Sequence, residues 1–335
     1  MSLKKDSAMK KVMISLGIFL FALSACTTQK EKWENIRIDD IDSPKNDIRS
    51  ICFDREGKMW VGTWFGVFEN VDGKWQPQGP ESYVETLFID SDDTKWAGLW
   101  GGGVYICEAG GQWENVKEAS PTNSVNIISA DRKGSIWIGD WGGGAVNLEG
   151  KGEIDVNNKN GGAANFDGHQ WVVYRNDSVS LGDNSVVAIT CDVKNRMWFG
   201  TYHGVSVLEN GNWTLYNKQN SQLPDNDVYS LASDSEGNIW FGTCNGLAEV
   251  SGENWTIYKK ENSGLVENLI LAIAEDSQGN IWVGTNKGVS VFDGTEWKTY
   301  TVDNSGLIDN RVQTITSFRN KVYVGTGKGI SVFEN

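Results

Sequence analysis

Residues that commonly build catalytic and metal sites are scarce in this sequence. The 335 residues include 2 His, 5 Cys and 5 Pro. His169 and His203 fall in different strand-like segments without metal-ligand spacing, and no two cysteines are closely paired. The chain also has no nucleophile elbow or phosphate loop in its proper context. We therefore expect a protein that is not an enzyme and that uses no metal or cofactor.

Positive charge and long apolar runs are also in short supply. Lys and Arg total 30 against 44 Asp and Glu, which gives a net charge of -14. Such an acidic chain repels phosphate groups, so nucleic acid and anionic membrane surfaces are not expected as partners. Apart from one short apolar run near the N-terminus, the sequence has no long amphipathic helical pattern. Its regular structure must therefore come from strands.

Glycine and tryptophan, in contrast, are abundant and recur in a pattern. The chain has 39 Gly and 16 Trp, and the segment DSEGNIWFGT at 234–243 returns with variations in seven copies. Each copy contains one aromatic marker residue, and these markers are Trp60, Trp96, Trp137, Trp198, Trp240, Trp282 and Tyr323. A repeat of roughly 40 to 45 residues with four short strand-like runs is typical of propeller blades. The sequence therefore predicts an all-β fold, a seven-bladed β-propeller.

The repeated motif reads as two strands joined by a tight turn. Asp234 is expected to cap this turn through its side-chain oxygen, and Gly237 to supply the positive φ that the turn needs. The marker Trp240 is expected to bury its ring between neighbouring blades. Because the motif returns in every copy, we interpret these residues as scaffold.

The two ends of the repeat region are complementary. Trp33 begins a segment, WENIRI at 33–38, that matches the fourth strand of the later repeats, whereas the last repeat stops at Val332 and Phe333, after its third strand. The N-terminal strand should therefore complete the C-terminal blade and close the ring without an open sheet edge. We expect one propeller domain over residues 33–335, and we expect that deleting 33–38 destabilises all of it.

The N-terminus has the layout of a secretory signal. Lys10 and Lys11 precede an apolar run, 12–23, that is too short to span a bilayer. The run ends in Leu-Ser-Ala-Cys at 23–26, which resembles the bacterial lipobox. This resemblance implies a signal peptide over 1–25, lipid attachment at Cys26 and a tether over 26–32. The lipid would be the sole link to the membrane, and Thr27 favours the outer membrane, on its periplasmic or its surface side.

The repeats also resemble a known family. The connector NSGL, the pattern N-x-V-x-x-I-x-x-D-x-x-G-x-I-W-x-G-T and the run GVSVF are similar to two-component regulator propeller repeats. In that family such blades form the extracytoplasmic sensor of hybrid histidine kinases, many of them tied to glycan use in Bacteroidetes. The likeness covers nearly all of 46–335. It implies a sensor-type propeller, although direct signalling is not implied because no kinase segment follows Asn335.

One blade contains an insertion, which we expect as a loop over about 150–166. If Gly143 begins the third strand of that blade, the extra residues lie between strands three and four, on the face opposite the blade connectors. If Gly162 begins it, as the likeness of GAANFDGHQW to GVSVFDGTEW suggests, the loop moves to the connector face. We expect the first arrangement.

The candidate binding residues lie in the turns between strands two and three, which vary most between blades. In a propeller these turns share a face with the blade connectors and surround the channel mouth. Aromatic rings can stack on sugars while amides, Lys and imidazole bond their hydroxyl groups. The expected ligand-binding residues are Trp64, Phe65, Trp100, Asp140, Trp141, Tyr202, His203, Asn245, Asn286, Lys287 and Lys328.

These observations leave several functions open. The first is a lipid-anchored, non-catalytic and monomeric propeller that binds a small molecule or an oligosaccharide on its connector face. The second is a scaffold that binds envelope proteins through the same face or through the insertion. The third is a lyase that uses His203 with Asp140, since streptogramin lyases are also seven-bladed. The turn aromatics could also simply pack on the next blade's connector and tighten the ring.

Overall fold

Seven antiparallel sheets of four strands each make up the fold. The computed structural model describes residues 33–39, 43–116, 124–141 and 161–334. Blades one to four contain β2 (Ile48–Phe53), β3 (Met59–Thr63), β4 (Gly66–Val71), β5 (Lys74–Gln78), β6 (Val84–Ile89), β7 (Lys95–Leu99), β8 (Gly103–Cys107), β9 (Glu114–Asn115), β10 (Val125–Ala130), β11 (Ile136–Asp140), β12 (Ala163–Phe166), β13 (Trp171–Tyr174), β14 (Val186–Cys191), β15 (Met197–Thr201), β16 (Gly204–Glu209) and β17 (Asn212–Tyr216).

The last three blades repeat the order. They contain β18 (Val228–Ser233), β19 (Ile239–Thr243), β20 (Gly246–Ser251), β21 (Asn254–Tyr258), β22 (Ile270–Glu275), β23 (Ile281–Thr285), β24 (Gly288–Phe292), β25 (Trp297–Tyr300), β26 (Val312–Phe318), β27 (Lys321–Thr326), β28 (Gly329–Glu334) and the N-terminal β1 (Trp33–Ile36). One 3-10 turn, Pro44–Asn46, precedes β2. Within the described ranges, no helix is long and apolar enough to cross a bilayer. The predicted seven-bladed β-propeller is confirmed.

The ring closes as the sequence predicts. Strand β1 pairs antiparallel with β28, and its residues from Trp33 to Ile36 face Phe333 to Ile330 in register. The Trp33 ring lies 5.2 Å from that of Phe333 and 5.3 Å from that of Tyr300. Two ends of the chain that are far apart in sequence thus share one sheet, and the seventh blade has no missing strand.

The core consists of seven apolar clusters, each located between two adjacent blades. In one of them, Trp198 of blade four packs with Val228 and Phe241 of blade five. The marker residues Trp240 and Trp282 are each 2% exposed. Burial of a tryptophan ring removes a large apolar area from water, so these seven clusters supply most of the stability of the ring.

The insertion is where the expected strand assignment is wrong. Strand β12, Ala163–Phe166, pairs with β11 and with β13, so the third strand begins after Gly162 and not at Gly143. The hairpin from β12 to β13 is closed locally by two bonds from backbone amides to Asp167, at 2.9 Å each. A short hairpin of this kind costs less closure entropy than the long loop that we expected there.

The inserted residues therefore leave and re-enter the blade at the connector face. The backbone N of Asp140 lies 3.1 Å from the Gly162 carbonyl, which joins the ends of β11 and β12. Part of the loop expected over 150–166 is strand β12. Gly143 and the segment 142–160 lie outside the described residues.

The turn aspartate does more than close its turn. Asp234 Oδ1 accepts bonds from the backbone N of Glu236 (3.1 Å) and Asn238 (2.7 Å). Its Oδ2 accepts the indole N–H of Trp240 at 2.9 Å. The same bond from the marker indole to the turn carboxylate occurs in four further blades, at 2.8 to 3.1 Å. The carboxylate therefore positions the buried ring as well as the turn.

We expect Asp234→Ala to lower the free energy of unfolding by about 3 kcal/mol. The substitution leaves a buried indole N–H and two backbone amides without their charged acceptor. Urea denaturation measures the change. Asp293→Ala is the matched control, because Asp293 caps an exposed turn and bonds no indole. Its effect should be much smaller, and equal losses in the two variants would contradict the role assigned to the indole bond.

Candidate functional site

The turns between strands two and three are built alike in five blades. In blade four, the backbone N of His203 donates to Thr201 Oγ1 at 3.1 Å, and this hydroxyl donates to the Gly204 carbonyl at 2.8 Å. Gly204 has a φ of 121°, a region that strongly favours glycine. Threonine and glycine therefore fix the turn, and the two residues between them are free to differ from blade to blade.

Six aromatic rings form a continuous row along these turns. The distances between successive ring centroids are 4.9, 6.3, 5.2, 6.1 and 5.9 Å. In order, the rings belong to Trp64, Tyr83, Trp100, Trp141, Tyr202 and Tyr229, and we call this set the aromatic row. Rings from five successive blades thus contact one another on the connector face, where the turns between strands two and three lie.

The row is open to solvent over much of its length. Trp64 is 52% exposed, Trp100 46% and Trp141 42%, and Phe65 beside them is 49% exposed. Tyr202 is half-buried. Exposed tryptophans this close together are costly in a free surface and mark interaction sites. The rings contact one another across blades, yet the three tryptophans leave about half of their surface available to a ligand.

The other expected residues are divided between this face and the interior. His203, Asn286, Lys287 and Lys328 are exposed on their turns, and Asn245 is half-buried. Asp140, however, is 1% exposed because it takes the buried position that Thr has in most blades. The carboxylate that we expected on the face at this point is therefore inside the blade.

His203 does not face Asp140, the partner that the lyase hypothesis requires. Its Nδ1 lies 2.8 Å from Asp183 Oδ2, and the imidazole is 67% exposed. Asp183 belongs to the connector before β14. The contact joins an exposed imidazole to a half-buried carboxylate, and neither residue belongs to a cluster of metal-ligating side chains among the described residues.

Sequence reasoning missed two tyrosines and a ring of inner-strand residues. In every blade the innermost strand has a register shift after its first residue, as between Ile48 and Ser50 or Val228 and Ser230. The bulged residues are Arg49, Glu85, Asn126, Val187, Tyr229, Leu271 and Gln313. They differ in every blade, whereas the aliphatic residue before each of them is fully buried. That contrast is the signal that could have found them.

Charged side chains beside the aromatic row hold Tyr83, its second ring, in position. Arg49 Nη2 lies 2.6 Å from Glu85 Oε1, and the guanidinium is 5.6 Å from the centre of the Tyr83 ring. Arg49 also donates to Gln313, which in turn donates to Asp47 at 2.9 Å. Burial and a hydrogen bond to the Glu85 carboxylate raise the pKa of Tyr83 above its usual range, so its hydroxyl stays protonated.

The second part of the row has a similar electrostatic setting. Burial, together with Tyr229 and Asp227, raises the pKa of Tyr202 to about 12. Both ends of the row therefore combine ring faces with neutral hydroxyls and nearby carboxylates. Such groups can stack on an apolar ring face and hydrogen-bond the hydroxyls around it.

One cluster near the row has the residue types of a metal site. Ligand atoms of Asp225, Asp227 and Cys244 lie within 4.8 Å of one another. Lys218 Nζ, however, already neutralises Asp225 at 3.1 Å. Burial and Asp225 raise the pKa of the Cys244 thiol to about 11, which keeps it in the protonated form that binds metals poorly. This cluster is therefore a weak candidate for a metal.

The comparisons with known proteins agree with the repeat assignment. Four segments, 42–65, 180–203, 222–245 and 264–287, match the family model of the two component regulator propeller. The predicted family resemblance is confirmed for these repeats. No curated protein is similar enough in sequence to count as a match.

Solved structures of three kinds share the fold. The extracellular domain of a hybrid two component system from B. thetaiotaomicron has 23% identity and a TM-score of 0.75, and the alignment covers 91% of this chain and 41% of that one. An inactive virginiamycin B lyase from Staphylococcus aureus, crystallised with quinupristin, has 13% identity, a TM-score of 0.69 and coverages of 91% and 100%. YCF48 bound to D1 peptide has 16% identity, a TM-score of 0.64 and coverages of 91% and 96%.

These similarities establish the fold, but the ligand has to be inferred from the surface residues of this chain. The chain spans less than half of the length of the hybrid two component domain. This fold is shared by an extracellular domain of a two component system, a lyase and a protein bound to a peptide. Function must therefore be argued from the connector face of this chain.

Proposed function

We propose that this propeller binds an oligosaccharide on its connector face and does not convert it. The aromatic row is the observation that supports the proposal most directly. Its rings are contiguous over five blades, and Trp64, Trp100 and Trp141 are about half exposed. Several rings in line favour a ligand of several sugar units over a single sugar, because each ring can stack on one unit.

Polar groups beside the row supply the hydrogen bonds that a sugar needs. His203 is exposed on the turn of blade four and Lys287 on that of blade six, and the hydroxyls of Tyr83 and Tyr202 stay protonated. Asn286 and Lys328 extend the same face over blades six and seven. A mixed surface of this kind is selective because each unmatched polar group would be penalised on binding.

The proposal also places the protein outside the cytoplasm. The signal over 1–25 and the Cys at 26 favour a lipid anchor, although these residues lie outside the described ranges. The hybrid two component protein that shares the fold is an extracellular domain. Cys26→Ser should release the protein from the membrane fraction. Retention of that variant in detergent-phase extracts would contradict the lipid anchor.

Quenching of tryptophan fluorescence tests the binding site. A specific oligosaccharide should quench the emission of the wild type, and Trp100→Ala or Trp141→Ala should remove the response. Trp255→Ala is a suitable control, because Trp255 packs against Tyr216 and Phe241 between blades, away from the row. Unchanged affinity in both row variants would rule out this site.

A second function, protein binding, has one specific observation in its favour. YCF48, which has the same fold, is a propeller bound to a peptide. An exposed row of aromatic residues also suits the centre of a protein interface. In that case, partner proteins should co-purify with the propeller from mild membrane extracts, and sugars should not bind to the aromatic row. A lyase is less well supported, because His203 pairs with Asp183 and Asp140 is buried.

A further inference from the structure

The interfaces between most blades share one way of packing. In four blades the marker tryptophan stacks with a tyrosine of the fourth strand, at 5.6 to 6.1 Å between ring centres. The fourth-strand tryptophan of the following blade then packs on that tyrosine, as Trp255 does on Tyr216 at 6.1 Å. Three rings from two blades thus fill the outer half of each of these interfaces.

The interface between blades one and two departs from this plan at several positions. Gln78 stands where those four blades have tyrosine, so the Trp60 ring has no stacking partner from its own fourth strand. The smaller polar side chain of Gln78 thus replaces a large ring, and a cavity of about 650 Å³ that Gln78 and Trp60 help to line opens between these blades.

Charge is placed in the same interface. Lys95 is 7% exposed and occupies a position that is apolar in the other six blades, namely Met59, Ile136, Met197, Ile239, Ile281 and Val322. Its Nζ lies 2.8 Å from Asp93 Oδ2 and 5.5 Å from the centre of the Trp60 ring. Glu69 is 8% exposed and stands where blades four and six have Val207 and Val291 and blade five has Glu249.

The remaining carboxylates give this cavity a negative character. Five carboxylates and two ammonium groups line it. Lys95 is committed to Asp93, whereas Glu69 accepts one bond from Gln78 at 3.2 Å and lies 3.6 Å from Lys58 Nζ. Glu69 therefore keeps acceptor capacity inside the cavity. Trp113 and Tyr105 add aromatic surface to the walls.

Neither the open space nor the buried charge helps the ring to fold. A cavity forfeits packing contacts, and buried charges are costly even when they are paired. The other blades show that this scaffold accepts apolar residues at each of these positions. In this one interface a polar residue replaces the tyrosine, a lysine is buried and a cavity opens, and departures from a packing rule that occur together are typical of functional sites. The cavity volume lies within the range of ligand pockets.

From these features we infer that the cavity between blades one and two binds a small organic cation with a ring, of the arylalkylamine class. The ring takes the place of the missing tyrosine beside Trp60 and Trp113, and the ammonium lies near Glu69. Carboxylates and aromatic faces both attract ammonium groups. The cavity walls include none of the six rings of the aromatic row, so this site is separate from the proposed oligosaccharide site.

Calorimetric titration of the purified full-length protein with phenethylamine, 2-phenylethanol and phenylacetate tests the ligand class. We expect the amine to bind at least tenfold more tightly than the neutral alcohol, and the acid not to bind. Lys95→Met, which copies Met59 and Met197, should strengthen binding of the amine because it removes a positive charge from the cavity. Weaker amine binding in this variant, or preference of the wild type for the acid, would overturn the inference.

Variants that restore the common packing test the location. Gln78→Tyr copies the residue of four other blades, so this variant should fold with an equal or higher melting temperature and lose at least tenfold in affinity for the amine. Glu69→Val should also weaken binding, whereas its counterpart in blade five, Glu249→Val, should not. Trp141→Ala should leave amine binding unchanged. Absence of amine binding by the wild type at millimolar concentration, or full binding by the Gln78→Tyr variant, would refute this site.

Discussion

Deletion of residues 33–38 will unfold the whole ring rather than fray one edge. Strand β1 supplies the fourth strand of blade seven, and Trp33 contacts Trp282 and Tyr300 across the interface with blade six and Phe333 within its own blade. Asn35 adds bonds to the Gly306 carbonyl at 3.0 Å and to Ser331 Oγ at 2.7 Å. Loss of one buried tryptophan costs about 3 to 5 kcal/mol, and domains are stable by roughly 5 to 15 kcal/mol. Loss of the whole strand should therefore remove most of the stability.

Urea denaturation followed by fluorescence and by circular dichroism measures this effect. Trp33→Ala alone should lower the free energy of unfolding by about 3 to 5 kcal/mol. Glu34→Ala is the control, because Glu34 is exposed in the same strand and its loss should change stability by less than about 0.5 kcal/mol. A deletion variant that unfolds at nearly the wild-type urea concentration would show that the closing strand is dispensable.

Substitution of Trp100 and Trp141 together by alanine should lower oligosaccharide affinity by about 100-fold. The two rings lie at the centre of the aromatic row, 5.2 Å apart. If each stacking contact contributes about 1.5 kcal/mol, the loss of both is about 3 kcal/mol, which corresponds to a little more than 100-fold in the dissociation constant. Titration calorimetry with the best oligosaccharide ligand measures it.

Folding should be nearly unaffected in this double variant. Both rings are more than 40% exposed, and neither belongs to one of the seven clusters between blades. Truncation of a ring that is open to solvent leaves no cavity behind. A large drop in melting temperature would instead mean that the two indole side chains stabilise the packing between blades. This is the purely structural role that the sequence leaves open for them.

The repeat made the architecture predictable, because the same turn-forming and packing residues recur in each copy. Asp234 and Gly237 repeat for reasons that are visible in sequence, namely a turn cap and a positive φ of 88° at the glycine. The second role of the aspartate could not be predicted, since nothing in a linear pattern shows that its other oxygen accepts a hydrogen bond from the Trp240 indole. Closure by Trp33 was predictable because one strand was missing at one end and in excess at the other.

The insertion and the site were harder, because both depend on contacts between distant segments. Gly143 and Gly162 each fit the third-strand pattern, and only the pairing of β12 with β11 decides between them. Tyr83 and Tyr229 join the row from the connectors and inner strands, which no repeat position of the turns reveals. Asp140 is on the turn in sequence, yet the Thr-like position that it occupies is buried.

The most direct test of oligosaccharide binding on the aromatic row is a glycan array probed with the fragment from Lys30 onward, as wild type and as Trp141→Ala. We expect that a defined group of oligosaccharides binds the wild type and that the variant loses this group. Binding that survives in the variant would contradict the aromatic row as the site. A clean negative for plant, host and microbial glycans would contradict oligosaccharide binding itself and favour protein partners on this face.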